Sequence, residues 1–380
     1  MRTLAVMAAA GLALSACGSS DSSSNTSASD GGGPANCGKN LAFLGAATGP
    51  AGALGQNMIG GIKFALDKYT KANPDCKIGL KVFDSQGDAT KATPLATQIV
   101  NDPSIVGLIG PGFSTESLAT GKTLAAAGLP SISPSATNVT ITQQGWTTWH
   151  RLIGNDAAQG AADAKYLTDT AKSQKPFVID DGSDYGKGLA ESVKKALGSA
   201  YDSSNTDTVQ TGQTDFSATV TKVKSSGADA VFFAGYYPEG GLLVKQLRQA
   251  GYKGLFMSGD GSEDPAFITT AGASAANGAI LSAPAGPAPA SFNTDYKAVV
   301  GSAAGLYSTQ AYDATNIFLA AFKAGKSSAA DINDFIGAYT GDGESGPIAF
   351  DDKGDITETT IYAYKVSNGK LDTANPTPIK

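Results

Sequence analysis

Short apolar runs alternate with helical stripes along most of this chain. Runs at 41–46, 78–84, 106–110 and 131–133 are bounded by Gly, Pro, Ser or Asp and predict strands. A second series lies at 176–180, 230–235, 255–258 and 279–282. Between them the spacing turns helical: Met58, Ile62, Ala65, Leu66 and Tyr69 form one stripe, and further helices are expected over 95–100, 189–197, 220–223 and 242–247. Ser114-Thr115 and Asp215 stand where helix N-termini need polar caps, while Pro103 and Pro130 mark entries into strands. Strand–helix alternation implies parallel sheets covered by helices on both faces. Two such series in tandem predict two doubly wound α/β lobes. Beyond Pro284, 309–323 and 330–339 read as helices. The chain then turns to 348–350 and 359–366, with turns at 351–354 and Asn368-Gly369, a pattern of antiparallel ribbon that would extend an existing sheet.

The start of the chain follows another pattern. Arg2 precedes an apolar run from Leu4 to Leu14 that closes on Leu14-Ser15-Ala16-Cys17. The run is shorter than the about 20 apolar residues of a membrane span. It resembles a bacterial lipoprotein signal, which implies cleavage before Cys17 and a lipid on that cysteine. Gly18 to Asn36 is Ser, Asp, Asn, Thr and Gly with almost nothing to bury, so a disordered tether is expected. The chain is thus expected to work on the outer face of the cell membrane, held by a lipid anchor.

Composition narrows the rest. The body from Cys37 onward is too long for one ordinary core. A formal net charge of −6 argues against nucleic acid, which needs a basic face. Of three cysteines, Cys17 is assigned to lipid, leaving Cys37 and Cys76, each just before a predicted strand. Outside the membrane such a pair reads as a disulfide, two free thiols being the alternative. Enzyme chemistry is poorly supplied. There is one histidine, His150, no Gly-x-Ser-x-Gly elbow, no His or Cys cluster with metal spacing, and no phosphate-binding glycine loop after a strand. Asp180-Asp181 and Asp351-Asp352 read as solvated turn residues. No enzyme activity, metal or cofactor is expected.

In doubly wound sheets, ligands bind beyond the carboxyl ends of the strands. There the first series offers Thr48-Gly49-Pro50, Phe113-Ser114-Thr115 and Pro134-Ser135-Ala136-Thr137. The second offers Tyr185, Tyr236-Tyr237 and Asp260. Hydroxyls and helix-N-terminal amides suit a carboxylate without an arginine. Tyrosines and one acid suit an apolar side chain and an ammonium. Together they describe a zwitterion held between two lobes.

These segments carry a specific likeness. Gly45-Ala46-Ala47-Thr48-Gly49-Pro50, Phe83-Asp84, Ile132-Ser133-Pro134-Ser135-Ala136-Thr137, Asp184-Tyr185-Gly186-Lys187-Gly188-Leu189-Ala190, Phe233-Ala234-Gly235-Tyr236-Tyr237-Pro238-Glu239 and Gly346-Pro347-Ile348-Ala349-Phe350-Asp351 occur in the order found in one family. From about 39 to 370 the chain resembles the periplasmic Leu/Ile/Val-binding protein family, branched-chain amino-acid receptors of ABC transporters. The resemblance implies a type I periplasmic binding fold with three hinge crossings, near Arg151, Pro284 and Ile348. The expected division is a signal peptide over 1–16, a tether over 17–36, one lobe from 37–151 and 284–348, and another from 152–283 and 349–380.

The resemblance also implies site roles. Ser114 would bind the ligand carboxylate. Thr137 would bind both carboxylate and ammonium, and the Ser135 carbonyl, next to Ala136, would take the ammonium. Tyr185 and Tyr236 would close over the ligand, and Asp260 would pair with the ammonium. Phe113, Leu54 and Tyr307 would line the side-chain pocket. Three positions depart from the family pattern. Asp260 stands for the usual Glu and is one methylene shorter. Leu54 stands for a frequent aromatic, and Phe113 for a smaller residue. Relatives with changed walls bind aromatic compounds, short amides or urea, so the zwitterion is the firmer part of the reading. The implied partners are an ABC permease and its ATPases; a ligand-sensing lipoprotein would present the same site.

Overall fold

The computed structural model describes residues 34–379. The expected signal peptide, Cys17 and nearly all of the expected tether lie outside the described residues. The first series folds as β1 (Asn40–Gly45), α1 (Gly52–Ala72), β2 (Gly79–Asp84), α2 (Ala89–Val100), β3 (Ile105–Ile109), α3 (Ser114–Ala126), β4 (Ser131–Ser133) and β5 (Trp149–Arg151). The second folds as α4 (Asp156–Lys165), β6 (Pro176–Asp180), α5 (Asp184–Leu197), β7 (Thr206–Thr208), α6 (Ser217–Ser226), β8 (Ala230–Ala234), α7 (Tyr237–Gln249), β9 (Leu255–Ser258), α8 (Pro265–Ala271), α9 (Ala273–Ala276) and β10 (Ile280–Ala283). The remainder is α10 (Ala290–Val300), α11 (Ser308–Lys323), α12 (Ala329–Gly337), β11 (Thr340–Gly343), β12 (Gly346–Ala349), β13 (Tyr362–Ser367), β14 (Lys370–Leu371) and β15 (Thr377–Pro378).

The first sheet is parallel in the order β2-β1-β3-β4-β5. The second repeats that winding as β7-β6-β8-β9-β10 and adds β13 antiparallel to β10. Each sheet therefore has one point where strand order reverses, between β1 and β3 and between β6 and β8. Loops diverge there and leave a crevice. Strands β6 and β8 are buried along their whole length, as a sheet covered on both faces requires. The helices after β10 return to the first sheet: α11 lies along α1 and touches β3 and β4. Gly61 makes that approach possible, since a Cβ there would stand 3.0 Å from the Tyr312 amide nitrogen.

The expected strands of both series appear close to their predicted bounds, and so do the helices expected at 309–323 and 330–339, while the helices expected at 95–100, 189–197, 220–223 and 242–247 begin several residues earlier, at Ala89, Asp184, Ser217 and Tyr237. In the two parallel series, two strands escaped the pattern; in the tail, the short strands at 340–343, 370–371 and 377–378 did as well. Residues 149–151 (Trp-His-Arg) and 206–208 (Thr-Asp-Thr) carry no apolar run, and each is an edge strand paired on one side only. The C-terminal ribbon is divided. Residues 362–367 do extend the second sheet, but Ile348 pairs with Gly341 in a separate hairpin. Helix α3 also starts differently. Ser114 is already inside its first turn, and Glu116 reaches back to accept the Phe113 amide at 3.1 Å.

Cys37 and Cys76 form a disulfide across 39 residues, just ahead of β1 and β2, which pair in register from Asn40↔Gly79. Closing a loop of this length in the unfolded chain is worth about 2–4 kcal/mol. Reduction is therefore expected to lower the unfolding midpoint by several degrees. An unchanged midpoint would show that the bond adds nothing to stability.

Candidate functional site

The two reversal points meet at one enclosed cavity of about 10 Å3, lined by Gly112, Phe113, Ser114, Ser135, Tyr185, Tyr236, Asp260 and Tyr307. The first sheet supplies Gly112, Phe113 and Ser114 from the end of β3 and the start of α3, and Ser135 from the loop after β4. Tyr307 arrives from the residue before α11. The second sheet supplies Tyr185 at the start of α5, Tyr236 after β8, and Asp260 after β9. Seven of the ten residues expected in the site thus share its wall. The other three, Leu54, Ala136 and Thr137, are buried close by and do not line it: Leu54 packs in the main core, and Ala136 and Thr137 follow Ser135.

The polar groups converge as follows. Asp260 is fully buried; its Oδ1 accepts the Tyr185 hydroxyl at 2.6 Å and its Oδ2 the Tyr307 hydroxyl at 2.5 Å. Burial pushes its carboxyl above the ordinary range, while the two phenols pull it back down. Gly261 lets the rings close in, because a Cβ there would stand 2.8 Å from the Tyr185 ring and 3.0 Å from the Tyr236 ring. Tyr236 bridges Phe113 and Tyr185, with ring centroids 5.3 and 5.1 Å away. Ser114 Oγ accepts the Asn138 amide at 3.2 Å, and Ser135 Oγ donates to the Gly112 carbonyl at 2.5 Å. The first-turn amides of α3 have no partner within the helix, which leaves a weakly positive end at the cavity.

Contacts around the rim join the two halves directly. Asn138 Nδ2 donates to the Asp184 carbonyl at 2.6 Å, and the Asp184 amide donates to Thr115 Oγ1 at 3.2 Å. The Tyr237 hydroxyl donates to the Pro50 carbonyl at 2.5 Å.

Sequence reasoning missed the supports. Arg151 is fully buried at the end of β5. Its Nε pairs with Asp355, its Nη1 donates to the carbonyls of Ala136 and Asn138 at 3.0 Å each, and its Nη2 donates to Thr142 Oγ1 at 3.1 Å. It therefore ties the loop that carries Ser135 to the segment around Asp355, between β12 and β13. Asp156, Gln159 and Asp163 were missed as well. They fall at i, i+3 and i+7 on the buried face of α4, a polar stripe among alanines that could have been noticed. Thr137 Oγ1 lies beside the Asp156 carboxyl without reaching hydrogen-bond geometry.

Burial raises several of these acids: Glu116 and Asp156 to about 7, Asp181 and Asp313 to about 6. A folded-state pKa above the unfolded value means the fold binds the proton more tightly. That stability is complete below about pH 4, where the unfolded acids also hold their protons, and is lost as pH rises through 6 to 7. His150 opposes it: burial depresses the imidazole to about 4, a contribution lost as pH falls below about 6.5. Four acids outweigh one imidazole, so the unfolding midpoint is expected to be higher at pH 5.5 than at pH 8. A midpoint that rises between those values would contradict the assignment.

Comparison with known proteins agrees with this architecture. The family model described as periplasmic binding protein matches residues 40–370. Leu/Ile/Val-binding protein BraC3 of Rhizobium johnstonii is 30% identical over 339 residues, covering 85% of this chain and 90% of that protein. The chain belongs to the periplasmic Leu/Ile/Val-binding protein family. Within the family it is also 31% identical to the leucine-specific-binding protein of Salmonella typhimurium, over 83% of this chain and 87% of that one. Among solved structures, the branched-chain amino acid transporter substrate-binding protein LivJ of Streptococcus pneumoniae, in complex with isoleucine, superimposes with a TM-score of 0.81 at 26% identity. It covers 90% of this chain and 99% of that chain. The fold is thus the type I periplasmic binding fold, and the family is one of substrate-binding proteins, not enzymes. Among the described residues, no helix is long and apolar enough to cross a membrane.

Proposed function

We propose that this protein is the substrate-binding component of an ABC importer for an apolar α-amino acid. One observation carries the reading. Hydroxyls and first-turn amides from one lobe, and a carboxylate with tyrosines from the other, converge on a single enclosed cavity. A zwitterion needs donors for its carboxylate and acceptors for its ammonium, and both sets are present. Ser114 and, as the cavity widens to admit a ligand, Thr137 serve the carboxylate side; Asp260 and the Ser135 carbonyl serve the ammonium, which Thr137 also reaches. The relatives' names point to leucine, isoleucine and valine as the ligand class.

The crossings near Arg151, Pro284 and Ile348 act as the hinge between 37–151 with 284–348 and 152–283 with 349–380. Ligand docks on the first lobe and recruits the second, shifting the population toward the closed form. The permease reads that closed shape. The described state is closed and its cavity is small, so a branched side chain requires Phe113 to swing aside or the lobes to stand slightly apart. Cys17 carries the lipid that holds the protein at the outer face of the cell membrane.

Isothermal titration of residues 37–380 with leucine, isoleucine, valine, alanine, phenylalanine, acetamide and urea tests the reading. Saturable binding of apolar amino acids, recovered chemically unchanged, is expected. Binding of urea or acetamide alone would replace the ligand class.

A further inference from the structure

Tyr307 does more in this cavity than fill a wall. Its backbone sits at φ 70°, in the left-handed region, where a bulky residue costs energy and is found at functional positions. It is held there by its neighbours: the Ser308 amide donates to the Gly305 carbonyl at 3.1 Å, and Ser308 Oγ donates to the Asn57 carbonyl at 3.1 Å. The residue is 4% exposed, and its side chain crosses from the first lobe to Asp260 in the second.

The two tyrosines on Asp260 are not equivalent. A phenol has one hydrogen to give and lone pairs to receive. Tyr185 gives its hydrogen to Oδ1 and receives the Gly261 amide at 2.9 Å, so it is engaged as donor and acceptor. Tyr307 gives its hydrogen to Oδ2 and, among the described residues, receives none. Tyr307 lines the cavity, and its oxygen keeps lone pairs to accept with, backed by the carboxylate it donates to. No lysine or arginine lines the cavity to satisfy either group. We propose that Asp260 and Tyr307 form one composite acceptor for the ligand ammonium, the phenol oxygen extending the reach of the short carboxylate side chain. The proposal rests on the amino-acid reading above. It also makes Tyr307 a closing contact, since the ammonium would be shared by an acid of one lobe and a phenol of the other.

The test uses two probe pairs that differ only in the ammonium group: leucine with 4-methylpentanoate, and alanine with propionate. Titrations are run on wild type, Tyr307→Phe, and Asp260→Glu/Tyr307→Phe. Losing one hydrogen bond to a charged group should weaken the amino acid about tenfold or more in Tyr307→Phe, leaving the ammonium-free acid nearly unchanged. The double variant should recover most of the loss, because one added methylene moves the carboxylate about 1.5 Å toward the place of the missing hydroxyl. Equal weakening of both members of a pair would make Tyr307 a packing residue and overturn the proposal, as would no weakening. A wild type that binds neither amino acid would overturn the amino-acid reading itself, and the composite acceptor with it.

Discussion

Asp260→Ala is expected to abolish amino-acid binding while the fold survives. The carboxylate is the acid that lines the cavity, and it is fully buried. Truncating one member of a buried, hydrogen-bonded charge pair costs about 2–5 kcal/mol of binding. By the usual conversion this weakens affinity at least about thirtyfold and reaches several thousandfold. The structural cost is smaller. Tyr185 and Tyr307 lose their acceptor, but the Gly261 amide still reaches the Tyr185 oxygen, and neither sheet depends on Asp260. Titration with leucine measures the loss, and circular dichroism with thermal melting checks the fold. Unchanged affinity would remove Asp260 from the site.

Arg151→Ala is expected to destabilise the protein more than any single substitution in the cavity wall. The side chain is fully buried, and its removal takes the charge partner from Asp355, which keeps only longer bonds from Thr142 and Asn155, and leaves the Ala136 carbonyl without its donor. Breaking a buried pair by removing one partner costs about 3–5 kcal/mol. Arg151→Lys keeps the charge but loses the planar fork, so it should fall between the two. Both variants should weaken ligand binding too, because the loop bearing Ser135 and Thr137 loses its clamp. Denaturant melts of the ligand-free variants check the first effect and titration the second. An Arg151→Ala protein as stable as wild type would show that the clamp carries no load.

The parts of this molecule legible in the sequence are those where one physical signal dominates. Strands buried on both faces must be apolar throughout, so Ala230–Ala234 and Pro176–Asp180 announce themselves. The wall of the candidate site was legible because loops beyond the strand ends converge at the reversal points, where Ser114, Tyr185, Tyr236 and Asp260 meet. Edge strands have no such signal: Thr206–Thr208 pairs on one side and needs no apolar face. The supports were hidden for a different reason. Arg151 is charged, and only its partners, up to 204 residues distant, explain its burial. Tyr307 read as a pocket wall because its hydroxyl bond to Asp260 depends on how the lobes close.

The most direct test of the account is a thermal-shift panel on residues 37–380 with all twenty amino acids, short amides, urea and γ-aminobutyrate. A ligand at about a thousand times its dissociation constant adds roughly 4 kcal/mol of stability. Clear upward shifts are expected with apolar α-amino acids and none with urea or the amides. Shifts confined to molecules that lack the α-ammonium or the carboxylate would contradict the account.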